Sequence, residues 1–156
     1  MERTYDASEL ERSYAATEAV GRHYERITQN CDVTTGDPVA NTPWIDRVVY
    51  LLMVIRCDMD QDGFPTLFEE RLSRADLQFM IAAFQQLEES ELAAEFQHVL
   101  DAITNAHFDL ARDGRPIDAP LLDQIYVIEK RVRAIGRLWQ IDEKLAKLLT
   151  VDSFGL

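Results

Sequence analysis

The chain has 156 residues, of which 47% are apolar, and its 28 acidic and 16 basic residues give a formal net charge of −12. This length and apolar content predict one compact domain over residues 1–156. The negative charge argues against direct binding of nucleic acid, because the phosphates would be repelled. Most of the charge lies between Asp58 and Asp118, where fourteen acidic residues accompany four arginines, a net charge of −10.

The N-terminus and the cysteines predict a cytoplasmic protein. Residues 1–8 are polar, and no apolar core of a signal peptide follows them. The longest apolar run, residues 48–55, has eight residues, whereas a membrane-spanning helix needs about 20. Cys31 and Cys57 are too few for a disulfide framework in a chain of this length. We therefore expect a soluble protein without a membrane partner.

In the first half of the chain, helix-start signals precede apolar residues at helical spacing. Ser8 and Glu11 form a predicted capping box for an amphipathic helix over residues 9–28. Thr42, followed by a proline, predicts the N-cap of a second helix over residues 44–55. That second segment is apolar on nearly every side, which predicts a position at the centre of the core.

The second half of the chain continues the helical pattern. Ser73 with Asp76 forms a further predicted capping box, and Ser90 and Asp118 are predicted N-caps. Loops are predicted over residues 30–41 and 109–119. The predicted helices are 65–72, one from the Ser73 cap to Leu87, one from Ser90 through Ile103, one from Asp118 through Leu138, and a short one that begins at Asp142.

No segment alternates apolar and polar residues over the length of a strand between hairpin turns. The sequence therefore predicts an all-α protein, a single-domain bundle of six or seven helices around one core.

Residues 58–69 match the calcium-loop pattern D-x-D-x-D-G-x5-E at every specified position. In such a loop, carboxylate, hydroxyl and carbonyl oxygens surround the ion, and the glycine allows a sharp turn. The pattern predicts an EF-hand-like calcium site as one alternative. Its candidate ligands are Asp58, Asp60, Asp62, the Phe64 carbonyl, Thr66 and Glu69.

Pro65 argues against that alternative. It occupies the eighth loop position, where an extended residue normally donates its backbone N–H to a paired loop, and proline has no N–H. The sequence also lacks a second loop of this kind. In the competing interpretation, Pro65 begins a helix and the aspartates favour the positive N-terminal end of that helix. This interpretation implies no cofactor.

A family resemblance supports the helical interpretation. Asp62-Gly63-Phe64 followed by Leu67-Phe68, then Ala83-Phe84 and Ala93-Ala94, resembles the core of a bacterial all-helical domain family of unknown function. That family includes DNA-mimic proteins. The resemblance covers roughly residues 44–103. The chain departs from the family pattern where Gln61-Asp62 replaces Asn-Gly and where Leu87-Glu88 replaces Ile-Gly.

The resemblance implies a protein that displays carboxylates spaced like DNA phosphates and occupies the nucleic-acid site of a basic DNA-binding protein, for example a transcription regulator. Recognition of phosphates by lysine and arginine is largely electrostatic, so a rigid acidic surface can substitute for them. A solvated acidic face that merely keeps the protein in solution is the alternative. The candidate partner-binding residues are Asp58, Asp60, Asp62, Glu69, Glu70, Glu88, Glu89, Glu91, Glu95 and Asp101.

The sequence gives no catalytic motif, and we expect a protein that is not an enzyme. Glu95 and His98 form one Glu-x-x-His step, which di-iron bundles need twice. A phosphate-binding glycine loop and a G-x-S-x-G elbow are absent from the sequence. A basic helix could complement an acidic face in a homodimer, with a solvated helix surface as the alternative; its basic residues are Lys130, Arg131, Arg133 and Arg137.

Overall fold

The computed structural model describes residues 6–29, 42–110 and 116–154. Helices joined by short turns make up these ranges, and no strand occurs within them, which confirms the all-α prediction. The predicted loop over residues 30–41, Cys31, Arg112 and Arg115 fall outside the described residues. The helices are α1 (Ala7–Gln29), α2 (Trp44–Gln61), α3 (Phe64–Thr66), α4 (Arg74–Gln86), α5 (Ser90–Asn105), α6 (Ala119–Ile135) and α7 (Asp142–Phe154).

Of the five predicted helix caps, two are confirmed, two are wrong, and the Thr42 cap of α2 stays a prediction. Ser73 and Asp76 form the capping box of α4, and the Asp118 carboxylate accepts the Leu121 N–H at the start of α6. At α1, however, the cap is Asp6, whose Oδ1 accepts the Glu9 N–H at 2.8 Å. At α5 the N-cap position is Glu89, which makes no side-chain cap bond. Propensity identified the caps only to within one or two residues.

Helix α2 is longer than predicted, because its apolar face continues. Ile55 and Met59 lie one turn apart and are both buried, so the core-facing stripe extends beyond the predicted end at residue 55. After the turn at Gly63, α3 passes directly into a π-helical turn over Leu67–Arg71, closed by the Leu72 N–H on the Leu67 carbonyl. Helix α6 ends at Gly136 in the left-handed conformation, and a 3₁₀ turn follows it.

The chain divides into two compact units, whose boundary falls inside α2. Unit 1 comprises residues 1–50 and 139–156, and α1 packs against α7 within it. Unit 2 comprises residues 51–138, in which α5 packs against both α4 and α6. The single domain over residues 1–156 stays a prediction. None of the described helices has the length and apolarity to cross a membrane.

An aromatic cluster lies in the core of unit 2. The rings of Phe64, Phe68, Phe84 and Phe96 are fully buried. The Phe64 ring centroid lies 5.4 Å from that of Phe68 and 5.6 Å from that of Phe96, with the rings steeply inclined to each other. Edge-to-face contacts of this kind add to the stabilisation from burial. The cluster fixes α3 and its flanking turn against α5, and so positions the acidic segment that precedes it.

Candidate functional site

The segment from Asp58 to Glu69 is largely helical. Asp58 and Asp60 lie in the last turns of α2, and the N–H groups of Asp62 and Gly63 both donate to the Asp58 carbonyl, at 2.8 and 2.7 Å. Pro65 then occupies the first turn of α3, as the helical interpretation predicted. The first two aspartates of the calcium pattern are thus held on a helix rather than in a loop.

Of the other candidate calcium ligands, Asp62 is exposed, whereas Glu69 and the Phe64 carbonyl accept hydrogen bonds within the fold. The Phe64 carbonyl accepts the Leu67 N–H, and Thr66 is half-buried in α3. Glu69 Oε1 accepts the Ile117 N–H at 3.2 Å. Within residues 6–29, 42–110 and 116–150, no three His, Cys, Asp or Glu side chains are grouped so that they could hold a metal ion.

Asp58 points into the protein. Only 7% of the residue is exposed, and its Oδ2 lies 3.4 Å from Arg71 Nε, an ion pair that lacks hydrogen-bond geometry. Burial raises the pKa of the Asp58 carboxyl above its ordinary value of 3.8, the Arg71 charge opposes that rise, and the charges of Asp62 and Glu70 add to it. Asp62 and Glu70 therefore lie in the same electrostatic neighbourhood as Asp58.

A carboxylate on α6 forms a hydrogen bond with the turn that follows α2. Glu129 Oε1 accepts the Phe64 N–H at 2.5 Å. Gly63 has a φ of +83°, and a Cβ at that position would lie 2.8 Å from the same Oε1 atom. Arg133 donates to Glu129 Oε2 at 3.3 Å and to the Met59 carbonyl. The glycine of the Asp-Gly-Phe sequence is therefore required by its conformation and by the close approach of Glu129.

Sequence reasoning missed the role of Glu129 and Arg133, because 65 residues separate Glu129 from Phe64. The four-residue spacing of the two side chains on α6 predicts an i,i+4 ion pair. That spacing contains no information about the backbone groups that the pair contacts on α2 and α3.

Four of the ten candidate partner-binding residues are engaged inside unit 2, and we call them the inner carboxylates. Glu89 is 5% exposed and accepts two bonds from Arg137, at 2.7 and 3.1 Å. Glu95 Oε2 accepts a bond from Arg131 Nε at 2.8 Å and lies 3.5 Å from His98 Nδ1. The inner carboxylates are Asp58, Glu69, Glu89 and Glu95. The buried Asp58 and Glu89 are thereby removed from the candidate surface.

The remaining six candidates are exposed, and we call them the outer carboxylates. Asp101 accepts a bond from the Gln97 side-chain amide at 2.9 Å. No ion pair among the described residues engages any of the six. They lie at the end of α2, in the π-helical turn, around the α4–α5 connection and along α5. The outer carboxylates are Asp60, Asp62, Glu70, Glu88, Glu91 and Asp101.

Unit 1 contains a histidine–aspartate contact that the sequence did not reveal. His23 Nε2 lies 2.6 Å from Asp46 Oδ1, and Arg26 Nη2 lies 3.3 Å from His23 Nδ1. Because a guanidinium can only donate, Nδ1 accepts and the proton of a neutral imidazole sits on Nε2, facing Asp46. The contact joins α1 to α2 within the unit, across 23 residues of sequence. In the Glu95–His98 step, by contrast, the Glu95 oxygen that faces His98 also pairs with Arg131.

No protein-family model matches the chain, and neither the curated proteins nor the solved structures include a match to it.

Proposed function

We propose that this protein is a non-enzymatic interaction module whose outer carboxylates bind a basic, nucleic-acid-binding protein in place of DNA phosphates. One observation carries the proposal, namely the division of the candidate residues into two sets. The inner carboxylates are engaged by arginines or backbone N–H groups, whereas the described ion pairs leave the outer carboxylates to solvent. Outward negative charge on helices is what a mimic of phosphates requires.

The inner ion pairs favour this function in two ways. Arg131 and Arg137 pair with Glu95 and Glu89, so these two arginines neutralise inner carboxylates and not outer ones. The same contacts anchor α5 to the end of α6 and to the residues after it. Helices fixed in this way hold their exposed charges at constant spacing, which lowers the entropic cost of binding.

The resemblance to a family that includes DNA mimics is consistent with this proposal, and the identity of the partner is open to experiment. Binding of this kind is dominated by electrostatics, so its affinity falls as the salt concentration rises. A partner surface of lysine and arginine that contacts DNA phosphates has the matching charge.

The test is affinity capture from a bacterial cell extract on the immobilised full-length chain. We expect the captured proteins to be DNA-binding proteins that are released by raised salt and by added duplex DNA. The variant Asp60→Asn/Asp62→Asn/Glu70→Gln is expected to bind the purified partner at least about tenfold more weakly, because three charges that face it are lost.

The matched control is Glu9→Gln/Glu11→Gln/Glu18→Gln, which removes three exposed carboxylates from α1 in unit 1. Both variants lose the same amount of negative charge, so a non-specific effect of net charge would weaken both equally. The proposal fails if the captured proteins do not bind DNA, if duplex DNA does not displace them, or if the control variant binds as weakly as the unit 2 variant.

A further inference from the structure

Helix α6 exposes two large apolar side chains on one stretch of its surface. Tyr126 is 46% exposed and Val127 is 53% exposed. Val127 also lines an open groove of about 360 Å³ between α5 and α6, together with Ala102 and Ile128. An apolar surface beside a groove marks a place where another chain can pack.

The two helices that form the groove are antiparallel, and the ion pairs give their register. Glu89, at the start of α5, pairs with Arg137 beyond the end of α6, and Glu95 pairs with Arg131. Moving six residues forward along α5 thus corresponds to moving six residues back along α6. In this register, Asp101 lies level with the first half of α6, and His98 lies closer to the level of Arg131.

On the exposed face of α6, an acidic side chain lies on one side of Val127 and a basic side chain lies on the other. Asp123, Val127 and Arg131 follow one another at four-residue intervals on α6, so they form a single stripe with an acid, an apolar side chain and a base. Arg131 gives its Nε to Glu95, yet 46% of its side chain is exposed. On α5, His98 and Asp101 line the same groove, with Asp101 one turn further along the helix.

A stripe of this kind is complementary to itself when it is reversed end to end. A two-fold axis that lies in the interface, crosses α6 and passes near Val127 brings Asp123 of each copy to Arg131 of the other. The same axis sets Val127 against Val127 and His98 against Asp101. An axis parallel to the helices would instead place Arg131 against Arg131 and Asp123 against Asp123, and these like-charge contacts would weaken association.

We propose that the chain forms a symmetric homodimer through the α5–α6 face, with Val127 at its centre and the Asp123–Arg131 pair made twice. This inference does not depend on the proposed function. The proposed interface contains Asp101, which is one of the outer carboxylates. Asp60, Asp62 and Glu70, whose substitution tests the proposed function, lie outside the stripe, so either proposal can fail while the other stands.

The first experiment measures the mass of the full chain by sedimentation equilibrium. We expect a species of twice the 17.9 kDa chain mass. Val127→Asp places a charge at the centre of the contact and is expected to give a monomer. Tyr14→Asp is the matched control, since Tyr14 is an apolar side chain of unit 1 with 73% exposure and should leave the dimer intact.

A charge-swap experiment tests the register. In an Asp123→Arg dimer, both 123–131 contacts bring two positive charges together, and in an Arg131→Asp dimer both bring two negative charges together. Each variant is therefore expected to dimerise roughly a hundredfold more weakly than the wild type. An equimolar mixture restores both pairs and should form heterodimers. Circular dichroism verifies that each variant is folded before it is measured.

The outcomes are decisive in either direction. A wild-type chain that sediments as a monomer at every concentration overturns the proposal. The proposal is also overturned if Val127→Asp and Tyr14→Asp give the same mass, or if the mixture of folded charge-swap variants remains monomeric.

Discussion

At the scale of single residues, Gly63 occupies a position that a residue with a side chain would strain. Its φ of +83° with a ψ of −176° belongs to a region that residues with a side chain rarely occupy. A Cβ at this position would lie only 2.8 Å from Glu129 Oε1. The sequence pattern explained this glycine as the turn of a calcium loop, whereas the structure explains it by the approach of α6.

We predict that Gly63→Ala lowers the free energy of unfolding by about 2 to 4 kcal/mol, because it adds backbone strain and a contact at 2.8 Å with Glu129 Oε1. Urea denaturation measures the change. Gly21→Ala is the matched control. Gly21 lies inside α1, and beyond its chain neighbours and the backbone of its own helix no atom lies within 4 Å of an added Cβ, so the substitution should raise the free energy of unfolding by up to about 1 kcal/mol.

A double-mutant cycle separates the two causes. In a Glu129→Ala background the contact disappears and only the backbone strain is left, so Gly63→Ala should cost about 1 kcal/mol less than in the wild type. Equal costs in both backgrounds would contradict the proposed role of Glu129.

Asp58 makes the free energy of unfolding depend on pH. Burial raises the pKa of its carboxyl in the folded state above 3.8, the ordinary value that we assign to the unfolded chain. The folded state therefore holds this proton more tightly. The favourable contribution is fully present below pH 3.8 and is lost as the pH rises through the raised pKa.

We therefore predict that Asp58→Asn becomes more stable relative to the wild type as the pH rises from about 3.8 to neutrality, because asparagine cannot acquire the buried charge. Urea denaturation at a series of pH values measures the difference. Asp60→Asn, which removes an exposed carboxylate from the same helix, is the matched control. A constant or falling difference for Asp58→Asn would refute the assignment.

At the scale of secondary-structure elements, local signals placed the helices well and their ends less well. The Ser73–Asp76 box and the Asp118 cap are encoded within a few residues, and both are confirmed. Helix α2 runs to Gln61 because Met59 is buried against the rest of the fold. That burial depends on residues distant in sequence, so the composition of residues 56–61 could not predict it.

The extension of α2 argues against calcium binding by residues 58–69. We predict that calorimetric titration of the full chain with calcium at millimolar concentration gives no binding heat, because Asp58 and Asp60 are held on a helix and Asp58 is paired with Arg71. Asp62→Asn provides the comparison. A saturable heat that this variant abolishes would restore the calcium-loop alternative.

At the scale of the whole molecule, the sequence showed where the negative charge is concentrated but not which carboxylates face outward. Glu88, Glu89 and Glu91 are near neighbours in sequence, yet Glu89 is buried against Arg137 and the other two are exposed. Arg137 lies 48 residues further along the chain. Only the packing of unit 2 distinguishes the inner carboxylates from the outer ones.

The sequence by itself determined the all-α class, the approximate positions of the helices and the location of the acidic region, because apolar periodicity and charge are local properties. The tertiary structure alone decided that Gly63 accommodates Glu129 and that Asp58 turns inward. It also decided which acids are neutralised by arginines from α6 and from the π-helical turn. These outcomes depend on contacts between residues distant in sequence, which form only when the helices pack.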